Sequence, residues 1–232
     1  MYQKSALYYD AIYSFKNYQK EADKIHQLIQ QHKRSPGRTL LDVACGTGSH
    51  LTFLRQHYDV EGLDVNPDML KTARQKHPDL TFHQGDMTSF GLNRKYDAII
   101  CLFSSIGYVK TRQRLHQAIQ NMARHLQPGG VLIIEPWFSP EAFIPGSVHG
   151  LWVDKPDLKI ARVNTHLVQG NLSIMDMHHL VGTPDGVEHF VERHEMALFT
   201  HEEYLEAFRT ANLEVTHEPE GLMGRGLYLA TQ

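Results

Sequence analysis

The chain has 232 residues, 41% hydrophobic and 21% charged, a balance that supports one folded core and excludes a disordered chain. A formal net charge of -3 carries no basic excess, which argues against nucleic acid or an anionic membrane as partner. Two cysteines, Cys45 and Cys101, cannot build a disulfide framework, and the 16 histidines are scattered without H-E-x-x-H or paired Cys/His spacing, so no metal site is expected.

The start, Met1 to Ser5, leads into polar and aromatic sequence with no apolar leader, and no window is long enough to span a bilayer. The expected location is the cytoplasm. Residues 5–33 read as helix, with Ile25, Leu28 and Ile29 on one face and Glu21, Lys24, Gln27 and Gln30 between them. Ser35-Pro36-Gly37 ends that segment. Thr39 to Ala44 is short and apolar enough for a central strand, and a glycine loop and a helix with Leu51, Phe53 and Leu54 follow. Val60 to Asp64 reads as a second strand, after which Asn66 and Pro67 take the N-cap and first-turn positions of a helix that His77-Pro78 stops.

The alternation continues through strands at residues 80–83 and 96–103, and a helix with Leu115, Ile119, Met122 and Leu126 on one face. A turn at Pro128-Gly129-Gly130 then leads into a strand from Val131 to Glu135. Apolar strands alternating with amphipathic helices predict an α/β fold, a doubly wound and mostly parallel sheet covered on both faces. Residues 151–199 change texture: short alternating runs, with turns at Gln169-Gly170-Asn171 and Thr183 to Gly186, predict antiparallel hairpins. A helix opens at Thr200 with capping-box spacing to Glu203, and two strands close the chain. The expected division is a core over residues 1–136, an inserted antiparallel β lobe over 137–199, and a segment over 200–232 that completes the core sheet to seven strands. The hairpins are also the expected surface of a homodimer.

The chemistry concentrates at strand ends. Gly46 and Gly48 in Asp42-Val43-Ala44-Cys45-Gly46-Thr47-Gly48 let backbone approach a ligand closely, and Asp64 ends the second strand, where a carboxylate meets ribose hydroxyls. Leu51 stands where a dinucleotide fingerprint has its third glycine, so a pyrophosphate is not the expected ligand. A sulfonium ligand with an amino-acid end suits this loop, Asp42 receiving the ammonium.

This loop, the acid ending strand two, and Gly85-Asp86-Met87 after strand three together resemble the class I S-adenosylmethionine-dependent methyltransferases. The resemblance implies their Rossmann-like fold, S-adenosyl-L-methionine as cofactor, and a cofactor site of Tyr18, Asp42, Ala44, Gly46, Thr47, Gly48, Asp64, Val65, Met69, Gly85, Asp86, Met87, Leu102 and Phe103. Asp86 and Met87 flank the adenine in that family. No N/D-P-P-Y/F element follows strand four, which disfavours methylation of nucleic-acid bases.

Phe103 to Gly107, Glu135-Pro136-Trp137, Arg162-Val163, Met177-His178 and Gly224-Arg225-Gly226 resemble a narrower group, the dTDP-amino-sugar N,N-dimethyltransferases of deoxysugar pathways. The implied substrate is a small molecule, a nucleotide-linked amino sugar methylated on nitrogen. Its candidate contacts are Tyr2, Ser104, Ser105, Trp137, Arg162 and Arg225, with Arg225 at the diphosphate. Arginine forks suit phosphate charge. Tyr108, where the group has histidine, and His178 are the candidates to receive the amine proton; His178 and His179 point to opposite faces of a strand, and the resemblance selects His178. Ser139 departs from the aromatic residue usual in the group. The residues alone leave open a methyltransferase for another small metabolite, or a protein that binds the cofactor without catalysis.

Overall fold

The computed structural model describes residues 4–232. A 3-10 turn over Ser5–Tyr8 and a single turn of helix, α1 (Tyr9–Ile12), precede α2 (Tyr18–His32). The helix expected over residues 5–33 is thus broken at 13–17. Asn17 caps α2 by accepting from the Lys20 N–H at 2.9 Å, and the break turns Tyr13 and Lys16 into the interior.

Five strands run parallel: β1 (Thr39–Val43), β2 (Asp59–Asp64), β3 (Thr81–Gln84), β4 (Tyr96–Cys101) and β5 (Leu126–Ile134). Between them lie α3 (Leu51–Leu54), α4 (Pro67–Lys76) and α5 (Arg112–Arg124). After an inserted sheet, α6 (His201–Thr210), β10 (Glu214–Glu218) and β11 (Leu227–Thr231) return to the core. The seven-stranded order is β10-β11-β5-β4-β1-β2-β3, with β11 antiparallel to both its neighbours. The order reverses at β1, which pairs with both β2 and β4, and a crevice opens there beyond the carboxyl ends of the strands.

β4 is buried along its whole length, as a sheet covered on both faces requires. One apolar cluster packs the sheet against α5 and α6, the other against α2, α3 and α4. The expected caps form: Asn66 accepts from Asp68 and Met69 N–H ahead of Pro67, and Thr200 and Glu203 make a reciprocal capping box. The turn expected at Pro128-Gly129-Gly130 lies within β5, as a register shift that sets Leu126 opposite Tyr96 and Val131 opposite Ala98.

The inserted sheet is an antiparallel meander of β6 (Val148–Lys155), β7 (Leu158–Gln169), β8 (Leu172–Thr183) and β9 (Gly186–Ala197). Its inner face takes Ile12 and Tyr13 into an apolar cluster with Val153, Ile160, Val181 and Phe190, so the amino-terminal segment bridges the two sheets. No helix among the described residues is long and apolar enough to cross a membrane.

Candidate active site

The glycine loop follows β1 directly. Ala44 and Gly46 take left-handed φ values of 61° and 56°, and a Cβ built on Gly46 meets nothing within 4 Å, so the loop leaves open space on that side. Asp64, at the end of β2, accepts from the N–H groups of Gly46 and Asn66 at 2.8 Å each, which ties loop to strand and leaves further lone pairs on both oxygens. Gly48 closes the turn from behind, its N–H donating to the Cys45 carbonyl at 3.0 Å. Thr47 is buried and donates to Asp10 at 2.6 Å, while Lys76 holds the other Asp10 oxygen at 2.8 Å. These bonds draw the amino-terminal segment over the loop.

At the inner end of this crevice Asp42 is 2% exposed and its Oδ2 has no partner among the described residues; the buried Tyr18 hydroxyl likewise has none. Burial, and then the charge of Asp64, raise the Asp42 pKa well above that of an ordinary carboxyl, and burial likewise raises the Tyr18 phenol. Both side chains line one pocket with Ala44, Gly46, Thr47 and Phe103. One buried acceptor and one buried donor, each lacking a partner, match an ammonium and a carboxylate on the same ligand. Nearby Glu21 of α2 is buried and binds Lys16 Nζ at 2.7 Å and His50 Nε2 at 2.8 Å. The Lys16 ammonium lies 4.1 Å from the Phe103 ring centroid.

The pocket continues past Asp64, Val65, Met69 and Met87 to Gly85, Asp86 and Arg114. Asp86 is engaged on both oxygens, Thr88 N–H and hydroxyl on Oδ1 and Arg114 on Oδ2 at 2.7 Å. Burial works to raise its pKa, and these bonds outweigh it and hold the carboxyl below its ordinary range.

Beyond Leu102, at the end of β4, Phe103 and Ser104 adopt consecutive left-handed conformations, φ 51° and 60°, which side-chain-bearing residues take only where surroundings compel them. The fully buried Glu135 supplies the constraint by accepting from the Phe103 N–H at 2.7 Å. Ser104, expected at the substrate, is itself fully buried and donates to the Pro136 carbonyl at 2.7 Å, so it holds the turn. Ser105, expected at the substrate, lines the crevice beside the glycine loop. A 3-10 turn over Ser105–Val109 then carries Tyr108 to the mouth of the crevice.

Phe103 and Tyr108 are shared with a second cleft, walled by Tyr13, Trp137 and the inner face of the four-stranded sheet. Arg162 reaches into it, with Nη1 3.1 Å from the Tyr13 hydroxyl, its guanidinium over the Tyr13 ring, and a buried Nε that has no partner among the described residues. Arg225 lies at the same cleft beside Trp137, but its charge is met by Glu135 at 2.9 Å, with the two side chains 9% and 0% exposed. Of the two arginines at this cleft, Arg162 is therefore the one with no carboxylate salt bridge among the described residues, whereas Arg225 is the anion contact the sequence favours. Trp137 is fixed by donation from Nε1 to Ser173 Oγ at 2.9 Å.

His178 does not belong to the cleft. Met175 and Met177 line it, so odd-numbered residues of β8 face inward; His178 lies on the outer face, stacked on His189 with centroids 5.5 Å apart. His179 faces inward, buried, its Nδ1 against the Met177 carbonyl. The imidazole that does reach Tyr108 is His194 of β9, its Nδ1 2.7 Å from the phenol oxygen. Its place opposite Met175 is the signal that strand alternation offered once the inward face of β8 is known. Tyr2 lies outside the described residues.

Residues 40–130 match the methyltransferase domain family. The chain is 43% identical to the dTDP-3-amino-3,4,6-trideoxy-alpha-D-glucopyranose N,N-dimethyltransferase of Streptomyces venezuelae, over 92% of this chain and 91% of that protein. The chain belongs to the S-adenosylmethionine-dependent methyltransferases. The crystal structure of Streptomyces venezuelae DesVI superposes on this methyltransferase with a TM-score of 0.93 at 40% identity, covering 100% of this chain and 99% of that one. SAM-bound CalS10, an amino pentose methyltransferase from Micromonospora echinaspora, gives 0.87 at 37% identity over 100% and 97%. The methyltransferase thus matches both structures along both sheets.

Proposed function

We propose that this enzyme N-methylates the amino group of a dTDP-linked deoxyamino sugar. The observation that carries the reading is the meeting of two clefts at Phe103 and Tyr108, one ending in the buried Asp42 and Tyr18 oxygens, which have no hydrogen bond of good geometry among the described residues, and the other holding Arg162. Relatives named for dTDP-amino sugars support the substrate class.

S-Adenosylmethionine, when bound, supplies a methyl group already activated by sulfonium. The chain would hold it with Asp42 at the ammonium, Tyr18 at the carboxylate, Asp64 at the ribose hydroxyls, and Val65, Met69, Gly85, Asp86 and Met87 around the adenine. The residues of the second cleft orient the amine and strip it of water, which is most of what an in-line displacement asks of a protein. Tyr108 offers its phenol oxygen to an N–H of the amine, and Arg162 neutralises the diphosphate, with the Nε of Arg225 as a second donor. Incubation with labelled cofactor and a panel of dTDP-3-amino and dTDP-4-amino sugars, read by mass, tests the assignment; methyl transfer only to unrelated metabolites would refute it.

Arg162→Ala is expected to weaken dTDP binding by about 10- to 100-fold, the loss of a charge-assisted contact of about 1.5–3 kcal/mol, and to raise KM with little change in kcat. Calorimetry with dTDP and steady-state kinetics check this together.

The lobe over 137–199 would serve two ends, one for each face of its sheet. The outer face exposes Trp152 at 76%, Val187 at 74% and Leu180 at 50%, all on the side of His178. Its charges are paired within the face, Arg193 with Asp176 and Lys159 with Asp154, which favours a second copy over a charged partner. Sedimentation should give a dimer mass at micromolar concentration, and Trp152→Glu a monomer. A monomeric wild type would refute this.

A further inference from the structure

We infer that His194 is the positioning residue for Tyr108, and that it fixes the phenol hydrogen so that the oxygen presents lone pairs to the acceptor amine. The inference rests on the reading that Tyr108 meets that amine. A phenol is both donor and acceptor, and an unrestrained one would as readily turn its hydrogen toward the amine nitrogen. That orientation would occupy the lone pair needed for attack on the methyl group. The direction of the Tyr108 hydrogen therefore decides whether the side chain helps or blocks transfer.

The geometry around His194 sets that direction. The side chain is buried at 1% exposure on the inner face of β9, with Nδ1 2.7 Å from Tyr108 Oη. Its other nitrogen, Nε2, lies 4.0 Å from Glu192 Oε2. At 4.0 Å the carboxylate makes no hydrogen bond to Nε2, but its charge favours the tautomer with hydrogen on that nitrogen, which leaves Nδ1 as an acceptor for the phenol. Burial, opposed by Glu192 and assisted by His179 and Arg162, pushes the His194 pKa down to about 4, so the ring is neutral near pH 7 and Nδ1 keeps its lone pair. Glu192 is itself anchored by the N–H groups of Lys4 and Ser5 at 3.0 and 3.1 Å, and by the Ser5 hydroxyl. The series runs from the amino-terminal segment through the charge of Glu192 and the imidazole of His194 to Tyr108.

The experiment is a double-mutant cycle on the full-length enzyme with a dTDP-amino sugar. His194→Gln is expected to lower kcat about tenfold while leaving the affinity for S-adenosylhomocysteine and dTDP unchanged, on the scale of one neutral hydrogen bond. Tyr108→Phe should lose a similar factor, and the double variant about tenfold again rather than about a hundredfold, because the two side chains act as one unit. In 15N-histidine spectra the His194 Nδ1 resonance of the wild type should be that of an unprotonated acceptor and should move in Tyr108→Phe, a readout independent of turnover. Multiplying losses in the double variant, full kcat in His194→Gln, or a protonated Nδ1 would each overturn the inference. Where His194→Gln fails to unfold cooperatively, His194→Asn takes its place in the cycle. Full kcat in Tyr108→Phe would remove Tyr108 from the amine and the role of His194 with it. A wild type that methylates no sugar of the panel would instead refute the proposed substrate, whatever the spectra show of the Tyr108 hydrogen bond.

Discussion

Replacing Asp42 by asparagine is expected to weaken binding of S-adenosylhomocysteine by about a hundredfold and, in the same variant, to leave the ligand-free fold as stable as the wild type or more so. Asp42 is buried, with one carboxylate oxygen lacking a partner among the described residues and Asp64 close enough to raise its pKa further. A buried charge of this kind is costly until an opposite charge arrives, and removing one partner of a buried pair costs about 3–5 kcal/mol once the pair exists. In the proposed binding mode the ligand's ammonium is that partner. The sign with pH follows from the raised pKa. As pH rises from the ordinary value of 3.8 through the folded value, the unfolded chain has already released its proton and the folded one has not, so ligand-free stability falls. Asp42→Asn should remove that slope. Affinity for the ligand should run the other way, rising as Asp42 ionises. Calorimetry and urea titrations across pH measure both; equal affinity in the variant would place the ammonium elsewhere.

Glu135→Ala is expected to destabilise the protein by about 3–5 kcal/mol, the scale for breaking a buried ion pair on one side. Glu135 is fully buried and has two obligations, Arg225 at 2.9 Å and the Phe103 N–H at 2.7 Å. Its loss strands a guanidinium that is 9% exposed, and frees the backbone that holds Phe103 and Ser104 left-handed. For a chain of this size the midpoint of thermal unfolding should fall by roughly 10 °C. Removing both partners with Glu135→Gln and Arg225→Met should cost less than the two single changes added together. Strict additivity by calorimetry would show that the pair is not a unit. Because Phe103 borders both clefts, Glu135→Ala should also lower kcat, whereas Arg162→Ala acts on binding.

The amino-terminal segment recurs in each of these effects. Tyr9 lines the crevice beside the glycine loop, Asp10 bonds that loop, Tyr13 holds Arg162, Lys16 packs on Phe103, and Lys4 and Ser5 anchor Glu192. Segment, loop and lobe are held together by polar contacts across the cleft, so an isolated β lobe would lose one wall of its apolar cluster with Val153 and Phe190.

Much of the fold was legible in order along the chain. The strands up to β5, the Asn66 and Thr200 caps, the glycine loop and the two turns between β7 and β9 are local signals, each set by residues a few positions apart. Most residues lining the crevice beyond β1, β2 and β3 were legible for the same reason, since they occupy loops directly after strands whose apolar runs announce them. What the sequence left open was decided by contacts between distant segments. Alternation on β8 shows that His178 and His179 oppose one another; which one faces the cleft depends on the face that packs against Tyr13 and Ile12. Arg225 reads as a free cation until Glu135, 90 residues away, is found beside it, and of the cleft's two arginines Arg162 is then the one without a carboxylate salt bridge among the described residues. His194 and Tyr108, 86 residues apart, meet only because two sheets close on one cleft. Periodicity is a property of neighbours in the chain and so is written there, whereas charge compensation and side-chain pairing depend on which surfaces the burial of apolar area brings together.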